Sequence, residues 1–135
     1  MDQRTLVVSC VEYYSDLKNI PSNKVFATFE KVGFLKMILD SQQMFPEMDL
    51  DFYIGMVDGL TYLESDSATG ENTHHEERSA LADEVVAMLM KKHKMNDLEA
   101  CQTYYHSKTA ASVSNEKTGF YKKAAKEIFD LIEAE

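Results

Sequence analysis

Tyr104-Tyr105-His106-Ser107-Lys108 brings two phenols, an imidazole, a hydroxyl and an amine into five consecutive positions. Each of these groups moves a proton or attacks an electrophile when a base and an orienting third group stand beside it. The run alone supplies no such arrangement. Tyr104 falls on the apolar face of its segment, which leaves Tyr105, His106 and Lys108 partly exposed around a helix end. Together with Tyr121 they read as a contact patch for a partner, and no residue is assigned a catalytic role.

His74-His75-Glu76-Glu77 gathers metal-ligand types side by side. Adjacent loop positions do not pre-organise a coordination sphere, and no Cys or further His follows at a ligating spacing. These residues are read as loop residues, with no metal expected. Glu47, Asp49, Asp51 and Asp58 are the densest carboxylates outside the 64–77 stretch. Asp49 and Asp51, two apart on a helix, point about 200° from each other, and no Gly-punctuated calcium loop surrounds them. They read as a solvated first turn or as an acidic docking surface. Lys91, Lys92, Lys94, Lys122, Lys123 and Lys126 are interspersed with acids and carry no recognition-helix or ribbon motif. Gly-rich phosphate loops, Gly-x-Ser-x-Gly, CxxC pairs and His-Glu-x-x-His are all missing, so no cofactor and no enzymatic activity are expected.

These groups must be held by the elements around them. Leu6, Val7, Cys10, Val11, Tyr14 and Leu17 recur at helical spacing, and the pattern returns at Leu81, Ala82, Val85, Val86 and Leu89. The offset of 75 residues persists through Ile20 and Met95, Phe26 and Cys101, Phe29 and Tyr104, Ile38 and Val113, Tyr53 and Ile128, and Val57 and Ile132. A constant register across several helical segments reads as a duplicated three-helix unit. Helices are expected over 3–18, 22–40 with an interruption at Gly33, and 47–62, then over 79–94, 97–113 and 119–133. Ser22, Ser79 and Asn96 are candidate N-caps, Asn96 with Glu99 as a capping box. Pro46 is placed in a first helical turn, followed by Glu47, Asp49 and Asp51.

The expected fold is all-α: a six-helix body of two tandem three-helix units related by a pseudo-two-fold. Residues 1–63 form the first unit, 64–77 an acidic solvated linker, and 78–135 the second unit. Wide stripes such as Phe120, Ala124, Ile128 and Leu131 are expected to pack the units into one compact domain; left unpacked, they would drive homodimerisation. Cys10 and Cys101 both lie in apolar stripes, as buried reduced thiols do.

The chain has 135 residues, with 14 Lys and Arg against 23 Asp and Glu, for a net charge of −9. That balance argues against general nucleic-acid or anionic-membrane binding. No apolar run approaches the ~20 residues that span a bilayer. Met1-Asp2-Gln3-Arg4-Thr5 leads into an amphipathic segment without a signal-peptide core, so a cytoplasmic location is expected.

Seven short stretches carry a resemblance. Residues 104–109, Asn115-Glu116-Lys117-Thr118-Gly119-Phe120-Tyr121 and Ile128-Phe129-Asp130-Leu131-Ile132-Glu133 resemble a family of short helical domains of unknown function from gut Firmicutes. Val11-Glu12-Tyr13-Tyr14, Asn19-Ile20-Pro21, residues 25–33 and Tyr53-Ile54 resemble sister members of the same group. Members of that family are often encoded beside ADP-ribosyltransferase-like toxins, which implies an antitoxin or accessory role. The family's C-terminal turn carries Ser-Pro after the Tyr where Lys122-Lys123-Ala124 stands here. A His-Thr pair before the third helix is replaced by Gln43-Met44-Phe45-Pro46.

The expected function is therefore a non-enzymatic interaction protein that binds and neutralises a partner encoded nearby. Its contact residues would be Glu47, Asp49, Asp51, Tyr105, His106, Lys108 and Tyr121. The rivals are a DNA-binding regulator using the lysine-bearing second unit and an acidic inhibitor that imitates nucleic acid.

Overall fold

The computed structural model describes residues 2–60 and 74–135, apart from the side chains of Ile54 and residues 57–60. Residues 64–73 of the expected linker lie outside the described residues. The described residues are all-α. They form α1 Gln3–Lys18, α2 Ser22–Lys31, α3 Phe34–Met44, α4 Leu50–Leu60, α5 His75–His93, α6 Asp97–Tyr105, α7 Lys108–Ser114 and α8 Ala125–Glu133. Two 3-10 turns, Glu116–Thr118 and Phe120–Lys122, connect α7 to α8.

Among the described residues, eight helices rather than six follow from local chemistry. Gly33, at φ 73, sits in the left-handed region that a side chain would strain, so the expected 22–40 helix divides into α2 and α3. The 97–113 helix divides at Ser107, whose backbone is extended and whose hydroxyl accepts from Ala110 N at 3.0 Å, capping a new helix. Gly119, at φ 75, and the two 3-10 turns delay α8 to Ala125. Asn96 and Glu99 form the full capping box expected of them.

Other local expectations are corrected. Pro21, not Ser22, is the cap position of α2; Ser22 is its first helical residue and is buried. Ser79 lies inside α5, which begins at His75, so His75, Glu76 and Glu77 are helical rather than linker. Pro46 and Glu47 precede α4, and Asp49 accepts from Phe52 N at 3.2 Å as its cap. That choice matches the preference of Asp over Glu at an N-cap, with Asp51 left in the first turn.

α1 and α5 form the centre of the body. Arg4 reaches Asp83 at 2.6 Å near one end, and His75 N donates to Asp16 at 2.9 Å near the other, so the helices run antiparallel. Their apolar faces, Leu6, Val7, Cys10, Val11 and Tyr14 against Leu81, Ala82, Val85, Val86 and Leu89, are buried. α2 packs on α1, α6 and α7, and α8 packs on α5 and α7. The contacts therefore cross from residues 1–63 to residues 78–135 along most of the chain. Leu17 and Leu131, expected in the core, stand 49% and 42% exposed, and Ala124 is also exposed. For α8 the reason is register: Ile128, Phe129 and Ile132 take the inner face, which turns Leu131 outward. Cys10 and Cys101 are buried free thiols.

Candidate functional site

Three features gather the polar side chains: a buried charge cluster, a cleft beside it, and an exposed corner between α3 and α4. The cluster centres on Arg78, which has no solvent exposure. Its Nε donates to Glu12 Oε1 at 2.9 Å, its Nη2 reaches Asp16 and the Glu12 carbonyl, and its Nη1 reaches Glu116. Glu12 is itself buried. Ser22 donates to its Oε1 at 2.6 Å and Tyr105 to its Oε2 at 2.7 Å. Burial alone would lower the Arg78 pKa, but the charge of Glu12 and hydrogen bonds to Asp16 and Glu12 outweigh it and raise the value. The guanidinium thus stays charged where water is excluded.

Two of the carboxylates also close the start of α5. Glu116 Oε2 accepts from His74 N at 3.0 Å, and Asp16 Oδ2 accepts from His75 N at 2.9 Å. The ring Nδ1 atoms of His74 and His75 lie 2.7 Å from Glu116 and 3.2 Å from Asp16. His74 stacks on Tyr121 at 4.7 Å, and Tyr13 meets His75 edge-on at 5.4 Å. The two histidines read as incidental loop residues are therefore anchors, tying one helix N-terminus to α1 and to the turn after α7. Among the described residues no group of three or more His, Cys, Asp or Glu is arranged to hold a metal ion.

Tyr105, expected to be partly exposed, is 2% exposed. Its ring stacks on Phe26 at 4.8 Å, and its hydroxyl is bound to Glu12. Beside it, α2 and α7 leave a cleft of about 850 Å³ whose walls include Asn23, Lys24, His106, Ser107, Lys108 and Lys117. His106 and Lys108 are exposed as expected, with His106 Nε2 held 2.8 Å from Glu30. Tyr121 is half-buried against His74 and does not line this cleft.

No family model, curated protein or solved structure matches this chain. Its chemistry must be read from its own side chains.

Glu47, Asp49 and Asp51 are exposed at the α3–α4 corner, in a run from Gln43 to Asp49 that is exposed throughout. Met44 is 71% exposed, and Phe45 and Met48 are each 45% exposed. With Pro46 and Glu47 these three side chains surround a shallow cavity of about 260 Å³. The corner is built, not frayed. Tyr53, buried in α4, donates its hydroxyl to the Phe45 carbonyl at 3.2 Å, and Phe45 meets the Phe52 ring at 6.1 Å. Helical periodicity does not mark this corner, because Met44, Phe45 and Met48 lie where the chain turns between α3 and α4.

The basic and acidic sets are distributed in a telling way. Lys92, Lys123 and Lys126 pair with Glu133, Glu127 and Asp130, and Lys92 and Lys126 also lie over the Phe129 ring. Glu12, Asp16 and Glu116 turn inward to Arg78, while Asp83 and Asp97 face Arg4. Among the described residues no helix is long and apolar enough to cross a membrane.

Proposed function

We propose that this protein is a non-enzymatic interaction module that binds a partner protein through the α3–α4 corner and occludes the partner's working surface. The observation that carries this reading is the corner itself. Met44, Phe45 and Met48 stand exposed together, with Glu47, Asp49 and Asp51 beside them. A small apolar centre ringed by charge has the anatomy of a binding patch, with Met and Phe enriched at such centres. The carboxylates define the partner's chemistry: an apolar pocket rimmed by Lys or Arg. Complementary charge of that kind mainly speeds association. The family resemblance adds that the partner is a neighbouring gene product, neutralised in the manner of an antitoxin. Tyr105 is withdrawn from the contact set, because it lies in the interior.

The rival readings have less support. Half of the lysines that would meet DNA are engaged by carboxylates on the same surface. An acidic mimic of nucleic acid needs its carboxylates along one face, whereas five of them point at Arg78 and Arg4.

The same reading includes a duplicated chain. Helices starting at Ser22 and Leu50 have counterparts starting at Asp97 and Ala125, each 75 positions later. Arg4 near the start of α1 reaches across to Asp83 of α5, and Arg78 near the start of α5 reaches back to Glu12 of α1. The two contacts are not equivalent in the 75-position register, which sets Arg4 against Ser79 and Glu12 against Ala87, so the pseudo-two-fold rests on the helix starts, with four described helices on either side of residues 61–73.

The test is capture of partners from the native host by the tagged full chain and by a Met44→Ser/Met48→Ser variant. The expected result is one protein recovered in stoichiometric amount by the parent chain and lost with the variant. Glu47→Lys/Asp51→Lys should slow its association and reverse the salt dependence of the rate. Equal recovery by both chains removes the corner, and recovery of no protein at low or physiological salt overturns the interaction reading.

A further inference from the structure

The cleft between α2 and α7 differs in charge from the rest of the molecule. The chain carries 23 acidic against 14 basic side chains, yet among the described residues no Asp or Glu lines this cleft, while Lys24, His106, Lys108 and Lys117 do. Lys92, Lys123 and Lys126 are paired with carboxylates of their own surface, whereas among the described residues no ion pair holds the amino groups of Lys24 and Lys117, and the charge of Lys108 is felt by Glu135 at the rim. The nearest rim carboxylates are already engaged. Glu30 is held by His106 and by Gln102 at 3.1 Å, and Glu135 accepts from Lys108 N at 2.7 Å and Thr109 N at 3.1 Å.

From this we propose that the cleft is a binding site for a small organic phosphate of nucleotide size. Its volume, about 850 Å³, falls in the range of small-molecule sites. Its floor is rigid and largely apolar. Tyr105, which is almost wholly buried, is fixed at both ends, by stacking on Phe26 at 4.8 Å and by its 2.7 Å hydrogen bond to Glu12, and Pro21, Ala27 and Ala111 line the cleft with it. An apolar floor under a cationic rim suits a ligand with a flat apolar part and a multiply charged end. Three lysines match a phosphate or diphosphate better than a single carboxylate, because each ammonium is a separate point charge with three donors. A polyanionic nucleic acid fits less well: the cations are confined to one concavity, and a net charge of −9 repels the remainder of a long strand. This site is independent of the α3–α4 corner, and its failure leaves the partner-binding reading untouched.

The experiment is an amide-detected NMR titration of the full chain with adenosine diphosphate and with pyrophosphate. Adenosine and a single-stranded oligonucleotide series of increasing length serve as comparisons. The expected result is saturable shifts confined to amides around Asn23, Lys24, Ser107, Lys108 and Lys117. Lys24→Gln/Lys108→Gln should weaken binding at least about tenfold with an unchanged thermal midpoint, a loss of ~1.4 kcal/mol. Lys36→Gln/Lys91→Gln, which removes two exposed amines elsewhere, should leave it unchanged. The proposal is overturned by the absence of saturable shifts with both phosphates at millimolar concentration. Adenosine binding as well as the diphosphate, equal loss in the Lys36→Gln/Lys91→Gln variant, or affinity that climbs with oligonucleotide length would each overturn it too.

Discussion

The Tyr105 hydroxyl donates to Glu12 Oε2 at 2.7 Å across 93 positions of sequence, joining the wall of the α2–α7 cleft to the buried charge cluster. Glu12 receives Arg78, Ser22 and Tyr105 at once, so both of its oxygens are satisfied inside the protein. A buried carboxylate is tolerable only under such conditions, since desolvation costs several kcal/mol per ion. The cluster therefore positions α1, α2, α5 and α6 relative to one another.

Replacing Arg78 with Met leaves Glu12 buried without its counter-charge. The expected loss is about 3–5 kcal/mol of unfolding free energy. Glu12→Gln added to Arg78→Met removes the stranded charge and should recover part of that loss. Urea unfolding of the two single variants and the double variant gives the coupling; a loss below about 1 kcal/mol for Arg78→Met would mean the cluster is not held as described.

Tyr105→Phe keeps the ring against Phe26 and deletes one donor to a buried carboxylate. Hydrogen bonds to charged groups contribute about 1.5–3 kcal/mol, and the variant should lose an amount in that range by denaturant midpoint. Tyr104→Phe, whose hydroxyl makes no hydrogen bond to Glu12, is the matched control.

Much of the fold was legible in the sequence because burial follows periodicity. The stripes Leu6–Tyr14 and Leu81–Leu89 are the buried faces of α1 and α5, and Asn96 with Glu99 announced its helix by the spacing of its cap. The cluster was not legible. Glu12 and Arg78 are 66 positions apart, and nothing in the local sequence of either names the other as its partner. Asp16 and Glu116 cap α5 from other elements, so no local capping residue marked its start at His75. Tyr105 was misplaced for the same reason: the partner that draws its hydroxyl inward lies on another helix.

Alkaline pH should weaken the fold through its buried acids. Burial pushes the Cys10 and Cys101 thiols up to about 12 from 9.0. Burial, with Glu12 nearby, also raises Tyr104 and Tyr105 well above 10.0. A raised folded pKa means the native state holds protons that the unfolded chain releases. The stabilisation is complete below pH 9 and declines as pH rises toward 12, at up to ~1.4 kcal/mol per pH unit for each thiol. Unfolding free energies from pH 7 to pH 11 should fall more steeply for the parent chain than for Cys10→Ala/Cys101→Ala. Equal slopes would show that the thiols are not buried as neutral groups.

Glu135 caps a helix that is not its own. Its carboxylate accepts from Lys108 N, Thr109 N and the Thr109 hydroxyl at the start of α7. Burial would raise its pKa, but the hydrogen bonds from Thr109 and the two backbone groups, with the Lys108 charge, lower it. Its contribution is present above its unfolded value of 4.5 and is lost as pH falls below that. Glu135→Ala should cost about 0.5–2 kcal/mol, as loss of a helix cap does, with faster hydrogen exchange at the Lys108 and Thr109 amides. Unchanged exchange at those two amides would count against the cap.

The α3–α4 corner separates folding from binding. Met44 and Met48 are among the most exposed apolar side chains described, so the fold gains little from them. Met44→Ser/Met48→Ser should move the unfolding free energy by no more than about 0.5 kcal/mol at each site, as surface changes do. It should also raise the midpoint slightly in conditions where exposed apolar patches cause self-association. Truncation at the centre of a binding patch removes about 2 kcal/mol or more per anchor, so affinity for the captured partner should fall by more than tenfold. A variant that lost stability and binding together would mark the corner as part of the core. Lost binding with intact stability is the signature of a contact surface, because Tyr53 and Phe52 hold the Phe45 backbone and ring in place without help from either methionine.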